Sequence, residues 1–227
     1  TVTNRTIGYL PDVPEFYSYM TPSEYLNFCG EITGMNAKAA GKRTEELLEL
    51  VGLAGEKHRI RGFSRGMKQR LGIAQALFNH PRLLICDEPT SALDPAGRKE
   101  LLDILTAAKE QTTILFSTHI LSDVEHICDE LAFLHEGRIV LQGSLEEIRK
   151  VRRDPAVELE LEQYQEQQLM LAAFPFLKED GKRRLLLEEP GRLPEILRFI
   201  ADRDLSLKRL EQMEPTLEDL FMEVIGK

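Results

Sequence analysis

The stretch Leu83-Leu84-Ile85-Cys86-Asp87-Glu88-Pro89-Thr90 constrains this chain more than any other. An apolar run that ends abruptly in two adjacent carboxylates reads as a buried parallel strand, with its acids at the C-terminal edge where open α/β sheets place their ligands. Acids gathered there suggest a metal ion. Pro89 stops the strand, and Thr90, Ser91 and Asp94 are turn and N-cap types ahead of a helix expected from Pro95.

The pattern on either side extends an α/β reading. Arg5–Asp12 reads as a short strand closed by Pro11, which cannot continue a central ladder. Residues 14 to 80 turn helical: a helix opens at Thr21-Pro22-Ser23-Glu24, with Gly30 and Gly34 loosening its end, and a second spans Arg43–Val51 and stops at Gly52. A third spans Phe63–Phe78, with Ser64 as N-cap, Gly66 allowing close backbone approach and Ile73, Ala74, Leu77 and Phe78 as its apolar stripe. After a helix over Ala96–Lys109 comes the strand Thr113–Ser117, then His119, a helix over Ile120–Cys128, and a hairpin that turns at His135-Glu136-Gly137. A basic run, Arg149–Arg153, marks a boundary. Beyond it the order βαββαβ predicts a small ferredoxin-like α+β domain, followed by a last helix over Thr216–Ile225.

Three segments in this order, Phe63-Ser64-Arg65-Gly66-Met67, Asp87-Glu88 with Asp94, and Ser117-Thr118-His119, resemble the signature, Walker B with D-loop, and switch histidine of ATP-binding cassette (ABC) ATPases. The resemblance covers the whole chain and implies an ATP-hydrolysing subunit of a membrane transporter. It implies a partial RecA-like nucleotide-binding domain, with strand residues 1–13, a helical subdomain at 14–80 and sheet core at 81–150, plus an accessory domain at 151–227. By resemblance Asp87 holds Mg²⁺, Glu88 is the general base toward the attacking water, and His119 meets the γ-phosphate. Ser64, Arg65, Gly66, Met67 and Asp94 then face the nucleotide of a second ATP-binding subunit in a head-to-tail dimer. Asp12 stands where the family's Q-loop usually has glutamine, and approaches Mg²⁺ or begins a turn with Pro11. Arg65 replaces a glycine, Phe63 a leucine and Met67 a glutamine. The region of Phe16, Tyr17 and Tyr19 lies where a cassette receives its transmembrane permease, or packs the helical subdomain. The closing segment Glu214–Phe221 resembles cassettes of ABC-2 exporters, which places the chain at the cytoplasmic face of the cell membrane.

One motif is missing. A phosphate loop needs G-x-x-x-x-G-K-[ST], and Gly41-Lys42, Gly181-Lys182 and Gly226-Lys227 all fail it. The chain begins with Thr1, and we expect a preceding segment to carry that loop. Without it, these residues alone are expected to bind ATP weakly or not at all and not to turn it over. The contrasting expectation is a non-catalytic, regulatory module that pairs with a complete ATPase. Composition narrows the choice further: a net charge of −9 argues against nucleic acid as partner. No apolar run is long enough to span a membrane, and Cys29, Cys86 and Cys128 lack the spacing of a zinc site or disulfide frame.

Overall fold

A computed structural model describes residues 6–151, 156–213 and 216–225. The chain divides into two compact units, Thr1–Ile127 and Cys128–Lys227.

The first unit is built on three parallel strands, β1 (Ile7–Leu10), β2 (Leu83–Asp87) and β3 (Thr113–Ser117), in the order β1-β2-β3. The acid-bearing strand is therefore the middle one. Leu10 pairs with Cys86 and Asp87 with Ser117, so all three strands end at one edge. The strands alternate rather than burying both faces. Leu10, Leu84 and Cys86 are fully buried on one face, while Tyr9 and Leu115 on the other are more than half exposed.

Helices α1 (Pro22–Ile32), α2 (Ala37–Leu50) and α3 (Arg65–Leu77) pack together as the helical part of this unit. Helix α1 starts as its sequence demands: Glu24 N–H donates to Thr21 Oγ1 at 3.3 Å and Thr21 N–H to Glu24 Oε2 at 2.8 Å, a reciprocal capping box behind Pro22. Helix α2 begins six residues earlier than its apolar spacing indicated, because Asn36 Oδ1 accepts from Ala39 N–H and caps a first turn made of small residues. Helix α3 lies against β1 at very short range. A Cβ at Gly8 would stand 2.3 Å from the Ala76 carbonyl oxygen, so no larger residue fits without moving the helix. Helices α4 (Pro95–Ala108) and α5 (Leu121–Ile127) complete the unit.

In the second unit, β4 (Glu130–His135) and β5 (Arg138–Ser144) form a separate two-stranded antiparallel sheet. Its turn residues Glu136 and Gly137 both have positive φ, +48° and +74°, as a two-residue type I′ hairpin requires. The hairpin packs with α6 (Leu145–Val151) and α9 (Leu217–Ile225), partly through a Phe133–Phe221 ring contact at 5.1 Å. The compact division thus falls at Ile127/Cys128, ahead of the hairpin, whereas the sequence reading grouped the hairpin with the sheet core up to residue 150. Residues 152–155 of that expected boundary lie outside the described residues, as do Glu214 and Pro215.

The remaining elements are β6 (Ala156–Leu161), α7 (Tyr164–Ala173), β7 (Lys178–Glu179), β8 (Arg184–Leu187), α8 (Leu193–Asp202) and β9 (Leu207–Met213). The sheet order is β7-β8-β6-β9, antiparallel throughout, which is the ferredoxin-like arrangement that the βαββαβ order predicts. Val157, Leu159 and Leu161 of central β6 point into a core with Met170, Leu185 and Ile196. On the opposite face Glu158 and Glu160 are also buried, facing Arg184 at 3.7 Å and Lys208 at 2.7 Å.

Candidate functional site

Parallel strands deliver their C-terminal loops to one edge, and here those loops carry Asp12, Asp87, Glu88 and His119. Ser117, the last residue of β3, joins the two acids of β2. Its Oγ donates to Asp87 Oδ1 at 2.8 Å and lies 3.2 Å from the Glu88 amide, which also donates to the Ser117 carbonyl at 3.1 Å. Glu88 has a left-handed backbone, φ +45°. Such a conformation costs a non-glycine residue on the order of 1 kcal/mol, and this bifurcated bond to β3 helps hold it.

The Glu88 carboxylate is mostly shielded, and its Oε2 lies 2.9 Å from His119 Nδ1. Oε2 is buried yet meets no donor at a hydrogen-bonding angle among the described residues. The short, poorly aligned contact leaves that oxygen an unsatisfied acceptor, the chemical character that a base needs. Asp87 is solvent-exposed, with one oxygen engaged by a hydroxyl. Carboxylate and hydroxyl oxygens suit Mg²⁺, which keeps most of its waters and takes one or two protein carboxylates. No cluster of three or more His, Cys, Asp or Glu poised for a metal occurs among the described residues, so an all-protein cage is not what the site offers.

The remaining candidates sit as follows. Arg65, one residue into α3, gives Nη2 to Asp12 Oδ1 at 2.9 Å. Two of the four departures from the family pattern, Asp12 and Arg65, therefore form one ion pair, each partner about two-fifths exposed. The guanidinium expected near phosphate is engaged within its own chain, and so is one oxygen of the carboxylate expected near metal. Gln69 pins the same loop: fully buried, it donates Nε2 to the Asp12 carbonyl at 2.6 Å. Ser64 Oγ accepts from Met67 N–H at 3.2 Å, an N-cap bond. Gly66 is backed by Leu93, whose Cδ2 stands 3.8 Å from where a Cβ would be. Asp94 caps α4, its Oδ1 accepting from Gly97 N–H at 3.1 Å. The aromatic segment is layered: Phe16 and Tyr17 pack on Tyr25 and Phe28 of α1, while Tyr17 and Tyr19 remain at least half exposed.

Sequence reasoning assigned no role to Gln69 and Asp123, quoted Ser117 only within the histidine segment and read Thr90 only as a turn residue. The parallel pairing of β2 with β3 could have found Ser117, since residues ending neighbouring strands of one edge meet. Thr90 and Asp123, 33 positions apart, are joined by a buried hydroxyl-to-carboxylate bond of 2.6 Å that no periodicity announces.

Comparison with known proteins decides the family. Over 226 residues the chain is 38% identical to the uncharacterized ABC transporter ATP-binding protein YxlF of Bacillus subtilis, spanning 97% of this chain and 76% of that one. This chain belongs to the ABC transporter ATP-binding proteins. The ABC transporter family profile matches residues 1–91, and a profile described as ATP-binding protein DrrA1-3-like, C-terminal domain, matches 143–225. Asp94 and His119 of this ABC protein lie beyond the first match, within the span aligned to YxlF. The bacitracin transport ATP-binding protein BcrA of Bacillus licheniformis is 36% identical over 98% of this chain and 74% of its own. Among solved structures, cbiO1 from Clostridium perfringens, titled as part of the ABC transporter complex cbiONQ, has 30% identity and a TM-score of 0.59. That superposition covers 66% of this chain and 64% of cbiO1. Among the described residues, no helix is long and apolar enough to cross a membrane.

Proposed function

We propose that this chain is the ATP-hydrolysing subunit of an exporter, working from the cytoplasmic face of a membrane with a transmembrane permease and a second ATP-binding subunit. The observation that carries the reading is the edge cluster itself, with Asp87, Glu88, Ser117 and His119 drawn together by two adjacent parallel strands. The export direction rests on the resemblance of the closing segment Glu214–Phe221 to cassettes of ABC-2 exporters.

Hydrolysis of ATP to ADP and phosphate needs positioning and charge neutralisation more than covalent help. Bound Mg²⁺ would supply the charge neutralisation at the phosphates, and Asp87 with Ser117 would hold it. Glu88 acts as the general base toward the attacking water, and His119 bonds the γ-phosphate. Ser64 and Gly66 at the start of α3 face the nucleotide of the second subunit, and the exposed Tyr17 and Tyr19 receive the permease. No G-x-x-x-x-G-K-[ST] occurs within the 227 residues, so hydrolysis requires a phosphate loop that these residues do not carry.

The natural gene product, purified with its membrane partner, is expected to hydrolyse Mg·ATP, whereas a polypeptide of these 227 residues is not. Hydrolysis by the 227-residue polypeptide that Glu88→Gln abolishes would overturn the second expectation. No hydrolysis by the natural product, or the same rate with Glu88→Gln, would overturn the first and favour the regulatory module. An intact mass of the natural product equal to that of these residues would favour that module too.

A further inference from the structure

Behind the edge cluster lies a buried polar tie that the proposed chemistry does not use. Thr90 and Asp123 are 0% and 1% exposed, and Thr90 Oγ1 donates to Asp123 Oδ2 at 2.6 Å. The other carboxylate oxygen, Oδ1, faces Arg98 Nε at 4.0 Å. That nitrogen is itself buried and makes no hydrogen bond among the described residues. A carboxylate withdrawn from water needs hydrogen bonds and a countercharge. Here one oxygen takes the hydroxyl and the other has the guanidinium.

The three residues come from three segments. Thr90 stands two residues past Glu88, Arg98 lies in the first turns of α4 past Asp94, and Asp123 stands four residues past His119 on α5. The loop with the base, the entry to α4 and the loop with the histidine are separate excursions from the sheet, and α4 also packs on α5. From this geometry we propose that Asp123 is a positioning residue: through Thr90 and Arg98 it joins these three segments, so that Glu88 and His119 keep their 2.9 Å approach. Ser117 ties the strand ends, and Asp123 ties the segments beyond them. The catalytic consequence rests on the ATPase reading above, whereas the mechanical one does not.

The test uses Thr90→Val, which conserves shape and removes the hydroxyl, and Thr90→Ser, which restores it, in the natural gene product with its membrane partner. One readout is amide hydrogen exchange. Thr90→Val is expected to speed exchange in residues 117–123 as well as 88–93, although only the latter segment is altered, and Thr90→Ser is expected not to. The second readout is Mg·ATP turnover per folded molecule: kcat falls about tenfold with KM nearly unchanged, a size ordinary for a misplaced catalytic group. Thr90→Ser returns kcat to within about twofold, well inside the effect of losing the group's position. Faster exchange confined to 88–93, an unchanged kcat in Thr90→Val, or no recovery with Thr90→Ser would each overturn the proposal. If the unsubstituted protein hydrolyses no ATP, the ATPase reading falls and the exchange experiment alone decides the tie.

Discussion

Both units of this chain have acids on the central strand of a sheet, and they treat them in opposite ways. At β2 the acids come last: Asp87 is the final paired residue and Glu88 follows just past it, and neither forms an ion pair with lysine or arginine among the described residues. In β6 they sit mid-strand: Glu158 and Glu160 lie on a sheet face, buried and set against Arg184 and Lys208 from the strands on either side. A mid-strand acid is fixed among its cross-strand neighbours, so burial and a countercharge follow and it has little freedom to meet a ligand. An acid at or just past the strand end keeps an open approach, and that makes chemistry possible. Residue type alone does not separate a working carboxylate from a structural one; place along the strand does.

Substitutions can break this contrast. The largest effect is expected from Glu88→Gln, which should lower ATP turnover of the natural product by roughly 10²–10⁴-fold while nucleotide binding persists. An initial-rate assay beside a binding titration checks it. Next, Leu159→Ala in β6 should cost the second unit about 2–5 kcal/mol in denaturant unfolding, because that side chain is fully buried in the core. Unfolding of the first unit, followed separately by hydrogen exchange, should not move. Arg184→Ala leaves Glu158 buried without its countercharge and should cost about 1–3 kcal/mol, reduced because Arg184 is half exposed. If Arg184→Ala proves as harmless as an ordinary surface substitution, the structural role given to the β6 acids is wrong.

A subtler test is pH. The Lys208 ammonium, by hydrogen bond, holds the Glu160 carboxyl below the usual carboxylate range. A depressed folded-state pKa adds stability that is complete above the unfolded value and is lost as pH falls through the folded one. The melting-temperature gap between unsubstituted protein and Lys208→Met should therefore close on acidification below the usual carboxylate range. The smallest effect belongs to Asp12 and Arg65. Their pair is about two-fifths exposed on both sides, so reversing either charge should cost only ~0.2–1 kcal/mol. Reversing both should recover most of it, and added salt should shrink the whole cycle. Full additivity of the two single reversals would show that the contact carries no coupling.

How much of this could be read beforehand depended on how local the cause was. The apolar run before Asp87, the Thr21–Glu24 capping box and the Glu136-Gly137 turn are decided within a few residues, and each formed where its residues placed it. The Asp12–Arg65 pair was not legible as a pair, because its partners lie 53 positions apart and meet only once α3 lies on β1. Asp123 was hidden for a similar reason: an acid on a short helix looks solvated until Thr90 and Arg98 arrive from other segments. The early start of α2 was missed because Ala39, Ala40 and Gly41 give no strong periodic signal, while the asparagine cap ahead of them is sufficient. The separate two-stranded sheet of the hairpin was not legible, because strand pattern says nothing about which sheet a strand joins.

The interior position of β2 has a consequence for how such a sheet can grow. Strands can be added only at the outer sides of β1 and β3, since β2 already has both its neighbours. A strand laid along either side leaves the Leu10–Cys86 and Asp87–Ser117 pairings as they are. The acids are thereby insulated from whatever the margins gain or lose: the sheet can widen, and the aim of its two carboxylates need not change.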